Sequence, residues 1–178
     1  MKLLPALLLL LAFAWSGGRT EIENSAVSFQ IQNAGITVNG TLEELEADIT
    51  FDPNQLGNAD IRASVPVSSI RTGISLRDKH LQRPDYFQAD KYPRIELASK
   101  VVRKTGRNKY EGVFALTMKG IERDVTIPFT VSSANEFTGS FRVNRLDFGL
   151  GQESLVLADE VAIQIRVKLK ESMPVSVR

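Results

Sequence analysis

The sequence of 178 residues has no cysteine and a single histidine, His80. The lack of cysteine excludes disulfides, thiolate chemistry and cysteine-ligated metal. The chain has no Gly-x-Ser-x-Gly elbow and only this one histidine, so it does not match the pattern of a serine hydrolase. One histidine and scattered carboxylates also do not match a transition-metal site. We therefore expect no catalytic residue of these classes, no metal and no cofactor.

The sequence also lacks an excess of either charge. It has 22 Lys and Arg against 21 Asp and Glu, and Lys2 is the only charged residue before Trp15. Loss of that N-terminal stretch would leave equal numbers of basic and acidic side chains. A neutral domain has no overall electrostatic attraction to nucleic acid or to an anionic membrane, so we expect neither as a partner.

An apolar run marks the N-terminus. Lys2 is followed by an apolar stretch from Leu3 to Ala14, interrupted by Pro5, and Ala12-Phe13-Ala14 fits a small-x-small cleavage site. A bilayer span needs about 20 apolar residues, so we interpret residues 1–14 as a cleaved export signal, with a later cleavage, up to about residue 18, as the alternative. We expect a periplasmic or secreted protein without a permanent membrane anchor.

Alternating apolar and polar residues dominate the rest of the chain. The clearest segment has apolar side chains at Val161, Ile163, Ile165, Val167 and Leu169, with polar residues between them. This period of two predicts antiparallel strands with one buried and one solvated face. Turn residues between the segments predict about eight or nine strands. The pattern does not separate a sandwich from a barrel, or a packed barrel from one that holds a ligand.

Two details of this prediction can be checked directly. Asn39-Gly40 is a preferred dipeptide for a tight hairpin, so we predict a turn there. Ile95, Leu97 and Val101 have the same parity, so we predict that they share the buried face of one strand.

Residues 71–93 are the long segment without this alternation, and they contain His80. Arg77 to Leu81 could form a short helix that Pro84 ends. A segment of this length in a β domain is often a lid or a functional loop. It could plug one barrel end with the apolar side chains Leu76, Leu81, Tyr86 and Phe87, or contact a ligand, or do both. Asp78 and His80 are two residues apart and would diverge on a helix, so we expect them to hold the loop in place.

Several motifs of the chain occur in the same order and at similar separations in a known family. They are Val67-Ser68-Ser69-Ile70-Arg71-Thr72-Gly73, Arg77-Asp78-Lys79-His80-Leu81, Asp85-Tyr86-Phe87, Lys91-Tyr92-Pro93-Arg94-Ile95, Gly112-Val113-Phe114-Ala115-Leu116-Thr117-Met118-Lys119-Gly120 and Asn144-Arg145-Leu146-Asp147-Phe148-Gly149. On these motifs the chain resembles the YceI-like polyisoprenoid-binding family. It departs at Gln32-Asn33-Ala34-Gly35, where members often carry a histidine, and at Leu42 and Leu97, where they carry aromatic residues.

The resemblance implies an extended antiparallel lipocalin-like β-barrel of about eight strands, with a short helical insertion near residues 73–92, over a domain at residues 19–171. It also implies an exported protein that carries an isoprenoid chain, such as a quinone tail or a polyprenyl lipid, in an apolar tunnel. The expected partner is this lipid or a similar amphiphile; a homodimer remains open.

The inward apolar side chains of the strands would then line the tunnel. We assign this role to Phe29, Ile31, Phe51, Val65, Val67, Leu97, Phe114, Leu116, Phe129 and Phe141. The lipid headgroup would lie near the non-alternating segment. Its candidate residues are Arg77, Asp78, His80 and Phe87.

Two other functions stay open on the sequence. One is an enzyme or antioxidant factor that acts on a bound quinone or lipid through Asp78 and His80. The other is a stress-response protein that binds a partner and whose barrel is filled by its own side chains.

Overall fold

Antiparallel strands make up most of the computed structural model, which describes residues 21–170. Residues 1–14, interpreted above as an export signal, lie outside this range. Within it there are ten strands and one α-helix: β1 Ile22–Asn33, β2 Ile36–Leu42, β3 Glu46–Thr50, β4 Asp60–Pro66, β5 Ile70–Arg71, α1 Ser75–Leu81, β6 Arg94–Gly106, β7 Lys109–Met118, β8 Ile121–Val131, β9 Glu136–Asn144 and β10 Leu157–Leu169. The helix lies inside the predicted insertion.

The ten strands form one curled sheet in the order β3-β4-β6-β7-β8-β9-β10-β1-β2-β5. This confirms the all-β, antiparallel and barrel-like architecture. The two edge strands, β3 and β5, do not pair with each other. Two short connections, residues 43–45 and 67–69, cross between the edges at one end. The Glu43 amide donates to the Ser69 hydroxyl (3.0 Å), which donates to the Pro66 carbonyl (2.7 Å), so the connections hold each other.

The predicted alternation is confirmed along most strands. In β7, Tyr110, Phe114, Leu116 and Met118 are all buried, whereas the residues between them, apart from Gly112, are partly exposed. Full burial of such a side chain contributes about 1.5–3 kcal/mol. The inner face of the curled sheet is therefore the hydrophobic core.

The predicted hairpin at Asn39-Gly40 is wrong, because both residues lie inside β2. The turn between β1 and β2 is Ala34-Gly35, with φ of +51° and +78°. Asn33 pairs with Ile36 around it. Two positive φ values are what a two-residue type I′ hairpin turn needs. Gly40 serves another purpose, which concerns the packing of Phe29.

The predicted position of Val101 is also wrong. The pairing of β6 with β7 shifts between Ser99 and Val101, and such a bulge reverses which side chains face the core. Val101 is therefore 57% exposed, while Val102 is buried.

The hairpin turn yields a test. Ala34 is exposed and has a left-handed backbone conformation, which costs alanine more free energy than asparagine. We expect Ala34→Asn to raise the free energy of unfolding by about 0.5–1 kcal/mol, as measured by urea denaturation. If the turn were at Asn39-Gly40, this substitution in a strand would lower stability or leave it unchanged.

Candidate functional site

A cavity of about 340 Å³, partly open to solvent, lies within the curl of the sheet. This volume is at the lower end of the range for small-molecule sites, about 300–1,000 Å³. Its wall combines inward side chains of β1, β2, β4, β6, β7, β9 and β10 with residues of the segment that contains α1. Most of these side chains are aliphatic or aromatic, so the cavity suits an apolar molecule.

The wall contains some of the predicted tunnel residues and not others. Those on the wall are Phe29, Ile31, Val65, Leu97, Leu116 and Phe141. The remaining four, Phe51, Val67, Phe114 and Phe129, are absent from it. Val67 is buried, with 2% exposure, in the short 3-10 turn that connects β4 to β5.

The other three predicted residues belong to an aromatic cluster at one end of the cavity. Phe129 stacks on Tyr110 at 5.5 Å between ring centroids and on Phe137 at 6.4 Å. Phe51 meets Tyr110 edge-on at 5.0 Å, and Phe114 meets Phe129 edge-on at 6.4 Å. Alternation predicts that these rings face inward, but it does not predict at which level along the barrel they meet. Here they pack against one another and against Tyr110 and Phe137, and none of the three lines this cavity.

Phe29 lies against the wall because of a glycine. Phe29 pairs with Gly40 on the neighbouring strand, and a Cβ on Gly40 would come within 2.2 Å of the tip of the Phe29 ring. The ring therefore occupies the place of the missing side chain, a close approach that only glycine permits. This keeps the ring against β2.

Three of the predicted headgroup residues, Arg77, His80 and Phe87, are on the wall, together with Leu81 and Tyr86. Asp78 is not. Its carboxylate accepts hydrogen bonds from the Thr72 amide (2.9 Å) and hydroxyl (2.5 Å). Arg77 donates to the Thr72 hydroxyl (2.7 Å) and carbonyl (2.6 Å). These bonds tie α1 to the chain just after β5.

Leu76, predicted to plug the barrel, is 75% exposed. It lies on the outer side of a helix whose inner side carries Leu81. The segment therefore covers the cavity with Leu81, Tyr86 and Phe87, and Leu76 takes no part.

His80 pairs with Asp85 and not with Asp78. Its Nε2 is 2.7 Å from the Asp85 carboxylate, and both side chains are about half exposed. The hydrogen bond with His80 is the main reason why the pKa of Asp85 lies below its ordinary value of 3.8. The Asp85 carbonyl also accepts from the Gly151 amide (2.8 Å). This contact joins the segment around α1 to the loop between β9 and β10.

Arg145 was not among the predicted site residues, although it lies on the wall and is 2% exposed. It donates to the carbonyls of Leu150 (2.8 Å), Gln152 (2.8 Å) and Ala158 (3.0 Å), and pairs with Asp159 (2.8 Å). A buried charge needs such partners. Its guanidinium is thus used to fold the loop before β10 rather than offered to the cavity.

The described residues offer little for chemistry. No group of three or more His, Asp or Glu in residues 21–170 is placed to hold a metal ion. In the same part of the chain, every buried side-chain nitrogen and oxygen has a hydrogen-bond partner. No helix there has the length and apolarity to cross a membrane.

Known proteins are similar to this chain in sequence or in fold. The family model of the YceI-like domain matches residues 20–169. A UPF0312 protein of Photorhabdus laumondii is 30% identical over 106 residues, which are 59% of this chain and 55% of that protein. The chain thus spans about half the length of this relative.

Two solved structures are similar in fold. The crystal structure of BcnA from Burkholderia cenocepacia superposes with a TM-score of 0.78 at 26% identity, and the match covers 83% of this chain and 98% of BcnA. A polyisoprenoid binding domain from Saccharophagus degradans, implicated in plant cell wall breakdown, has a TM-score of 0.64 and covers 85% of this chain and 96% of that domain. At 13% identity this second likeness shows the fold alone.

The pair of His80 and Asp85 yields a pH test. Because the pKa of Asp85 is lowered in the native state, its ionised form stabilises the fold at pH values above 3.8, and this contribution is lost as the pH falls through the native pKa. We expect Asp85→Asn to lower the melting temperature at neutral pH, with the difference from the wild type shrinking below about pH 4. Asp90→Asn, which removes an equal charge from the same segment, is the control. A difference that is the same at all pH values would contradict this role.

Proposed function

Because the chain belongs to the family of YceI-like domains, we propose that it binds the apolar chain of an isoprenoid lipid, a quinone tail or a polyprenyl lipid, and carries it without catalysis. The observation that carries the proposal is the cavity inside the sheet, whose wall is apolar over most of its area. The description of the Saccharophagus domain as polyisoprenoid binding supports the same class of ligand.

The chemistry of the cavity suits a ligand without hydrogen-bonding groups. Arg77, His80 and Arg145 on the wall have their partners within the protein, and polar groups that are paired in this way retain ordered water less strongly. Each methylene-sized group that moves from water into such a space contributes about 0.8 kcal/mol. A few isoprene units are therefore enough for tight binding once the entropic cost of association is met.

The polar head of the lipid would remain beside Arg77 and His80. Both residues lie on the wall, and the His80 side chain is half exposed, so this part of the wall faces solvent. A headgroup there keeps its hydration while the chain is buried. In this arrangement Leu81, Tyr86 and Phe87 cover the first part of the chain.

Export fits this function. The apolar stretch at residues 1–14 would direct the protein out of the cytoplasm, and an isoprenoid lipid needs a carrier to move through an aqueous compartment. The balanced charge of the remaining chain suits a carrier that releases its cargo at either of two membranes.

One specific observation favours a rival function, that of an enzyme. The His80–Asp85 pair, at 2.7 Å, is a histidine oriented by a carboxylate at the cavity wall, and such a pair can move a proton. The enzyme hypothesis above rested on Asp78 and His80, but Asp78 bonds to Thr72 instead. The hypothesis of a fully packed barrel is disfavoured by the cavity itself.

The first test identifies the ligand. We expect organic extraction of the purified protein, followed by mass spectrometry, to yield a prenyl lipid, and we expect His80→Ala to retain it. Turnover of that lipid by the wild type but not by His80→Ala would favour the enzyme.

The same assay tests the cavity. Leu116 lies on its wall and is 4% exposed, so Leu116→Trp should fill the space and lower lipid occupancy at least tenfold, while the melting temperature changes little. Val113→Trp places the same side chain on the outer face of β7 and is the control. Overpacking of a filled core would instead cost about 1–3 kcal/mol. Such a loss of stability in Leu116→Trp, together with a wild type that holds no lipid, would contradict the proposal.

The export step has its own test. The sequence pattern predicts a mature N-terminus near Trp15, or as late as about residue 18. Mass spectrometry of protein from the periplasmic or secreted fraction measures it. Recovery of the protein from that fraction with Met1 intact would contradict cleavage.

A further inference from the structure

A second cavity, partly open to solvent and lined in part by polar loop residues, lies at the end of the sheet opposite the α1 segment. It measures about 440 Å³ and is lined by residues of β3 and the chain just after it, of the β6–β7 hairpin and of the β8–β9 hairpin, among them Phe51, Lys104, Tyr110 and Phe137. No residue lines both this outer cavity and the main cavity. A layer of side chains therefore separates the two cavities.

The separating layer is the aromatic cluster described above. We name it the aromatic partition: Phe51, Tyr110, Phe114, Phe129 and Phe137. Leu97 and Phe141 pack against this cluster and also line the main cavity. On its other side, Phe51, Tyr110 and Phe137 line the outer cavity.

The strands β7 and β9 both run past the partition, from the main cavity to the outer cavity. Along β7 the inward positions run from Leu116 on the main cavity, through Phe114 and Gly112, to Tyr110 on the outer cavity. Inward positions are about 7 Å apart along a strand. Along β9 they run from Phe141 on the main cavity, through Gly139, to Phe137 on the outer cavity. Each strand therefore carries an inward glycine between its two cavity-lining residues.

The Phe114 ring occupies the place of the missing Gly112 side chain, because a Cβ there would lie 2.5 Å from the ring. A Cβ on Gly139 would meet Ile127 at 3.1 Å and the Cβ of Phe129 at 3.4 Å. Phe114 and Phe129 are 3% and 7% exposed. Because Gly112 has no side chain behind Phe114, truncation of that one ring would leave a space between the cavities.

We propose that the aromatic partition is the inner stop for the bound isoprenoid chain, and that Phe114 limits the length of chain that the protein takes in. This inference rests on the function proposed above. Each isoprene unit that enters the main cavity gains affinity, and further units meet Leu97 and Phe141, which pack against the partition, and remain at the mouth. The preferred ligands are accordingly chains short enough to fit between the α1 segment and Phe114.

The test is a competition among prenols of increasing length. Delipidated protein is mixed with equal amounts of geraniol, farnesol, geranylgeraniol and solanesol, and the bound species are measured by native mass spectrometry. In the wild type we expect occupancy to rise up to geranylgeraniol and solanesol not to exceed it. In Phe114→Ala we expect the ratio of solanesol to geranylgeraniol to rise at least tenfold, because an isoprene unit buried in apolar surroundings contributes about that factor or more.

A matched truncation controls for loss of stability. Phe148 is 1% exposed and packs with Leu116, Val143 and Leu150, away from the partition, so Phe148→Ala removes the same atoms without opening the stop. We expect it to leave the ratio unchanged. If Phe114→Ala does not fold, Phe114→Leu removes part of the ring, and we expect the same change to a smaller extent.

The outcomes separate this inference from the proposed function. Wild-type protein that binds short prenols but shows the same ratio in both Phe114 variants overturns the stop and leaves lipid binding standing. Wild-type protein that prefers solanesol overturns it as well. Wild-type protein that binds no prenol overturns the proposed function, and the inference falls with it.

Discussion

A single curled sheet must bury its apolar face against itself, and the rest of the structure follows from this constraint. Ten strands enclose more space than their inward side chains can fill, since about eight already enclose a just-filled interior or one small ligand. The aromatic partition fills one level of this space. The segment around α1 covers the other end, and what remains between them is the apolar cavity of about 340 Å³.

Several buried or partly buried polar residues hold the covering segment and the loop before β10 in place. Asp78 and Arg77 are bonded to Thr72, and Arg145 is bonded to the loop that receives the Asp85 contact through Gly151. Removal of one partner would leave a buried polar group without hydrogen bonds, at a cost of about 1–3 kcal/mol. These residues therefore preserve the shape of the cavity, although most of them need not touch its contents.

The sequence predicts the strands, their buried faces and the helical insertion, because a period of two and the turn residues are local signals. It does not predict the bulge that exposes Val101, since a one-residue shift in pairing leaves no local trace. Likewise, Phe114 and Leu116 have the same parity, and yet one belongs to the aromatic partition and the other to the cavity wall. Parity fixes the side of the sheet, whereas the level depends on contacts with strands far away in sequence. The inward glycines Gly40 and Gly112 carried a usable signal, because a glycine in a strand often marks a close approach.

Selectivity in such a cavity has to come from shape. An apolar wall gives nearly the same free energy for each added methylene of any chain, so it discriminates weakly among chains of similar width. The polar groups that could discriminate among headgroups are Arg77 and His80, and both already bond to neighbours, Arg77 to Thr72 and His80 to Asp85. A boundary that no chain can pass discriminates more sharply than the apolar wall or these two polar groups. Under the proposed function, the distance from the covering segment to the aromatic partition is therefore the property of the fold best suited to distinguish one isoprenoid from another.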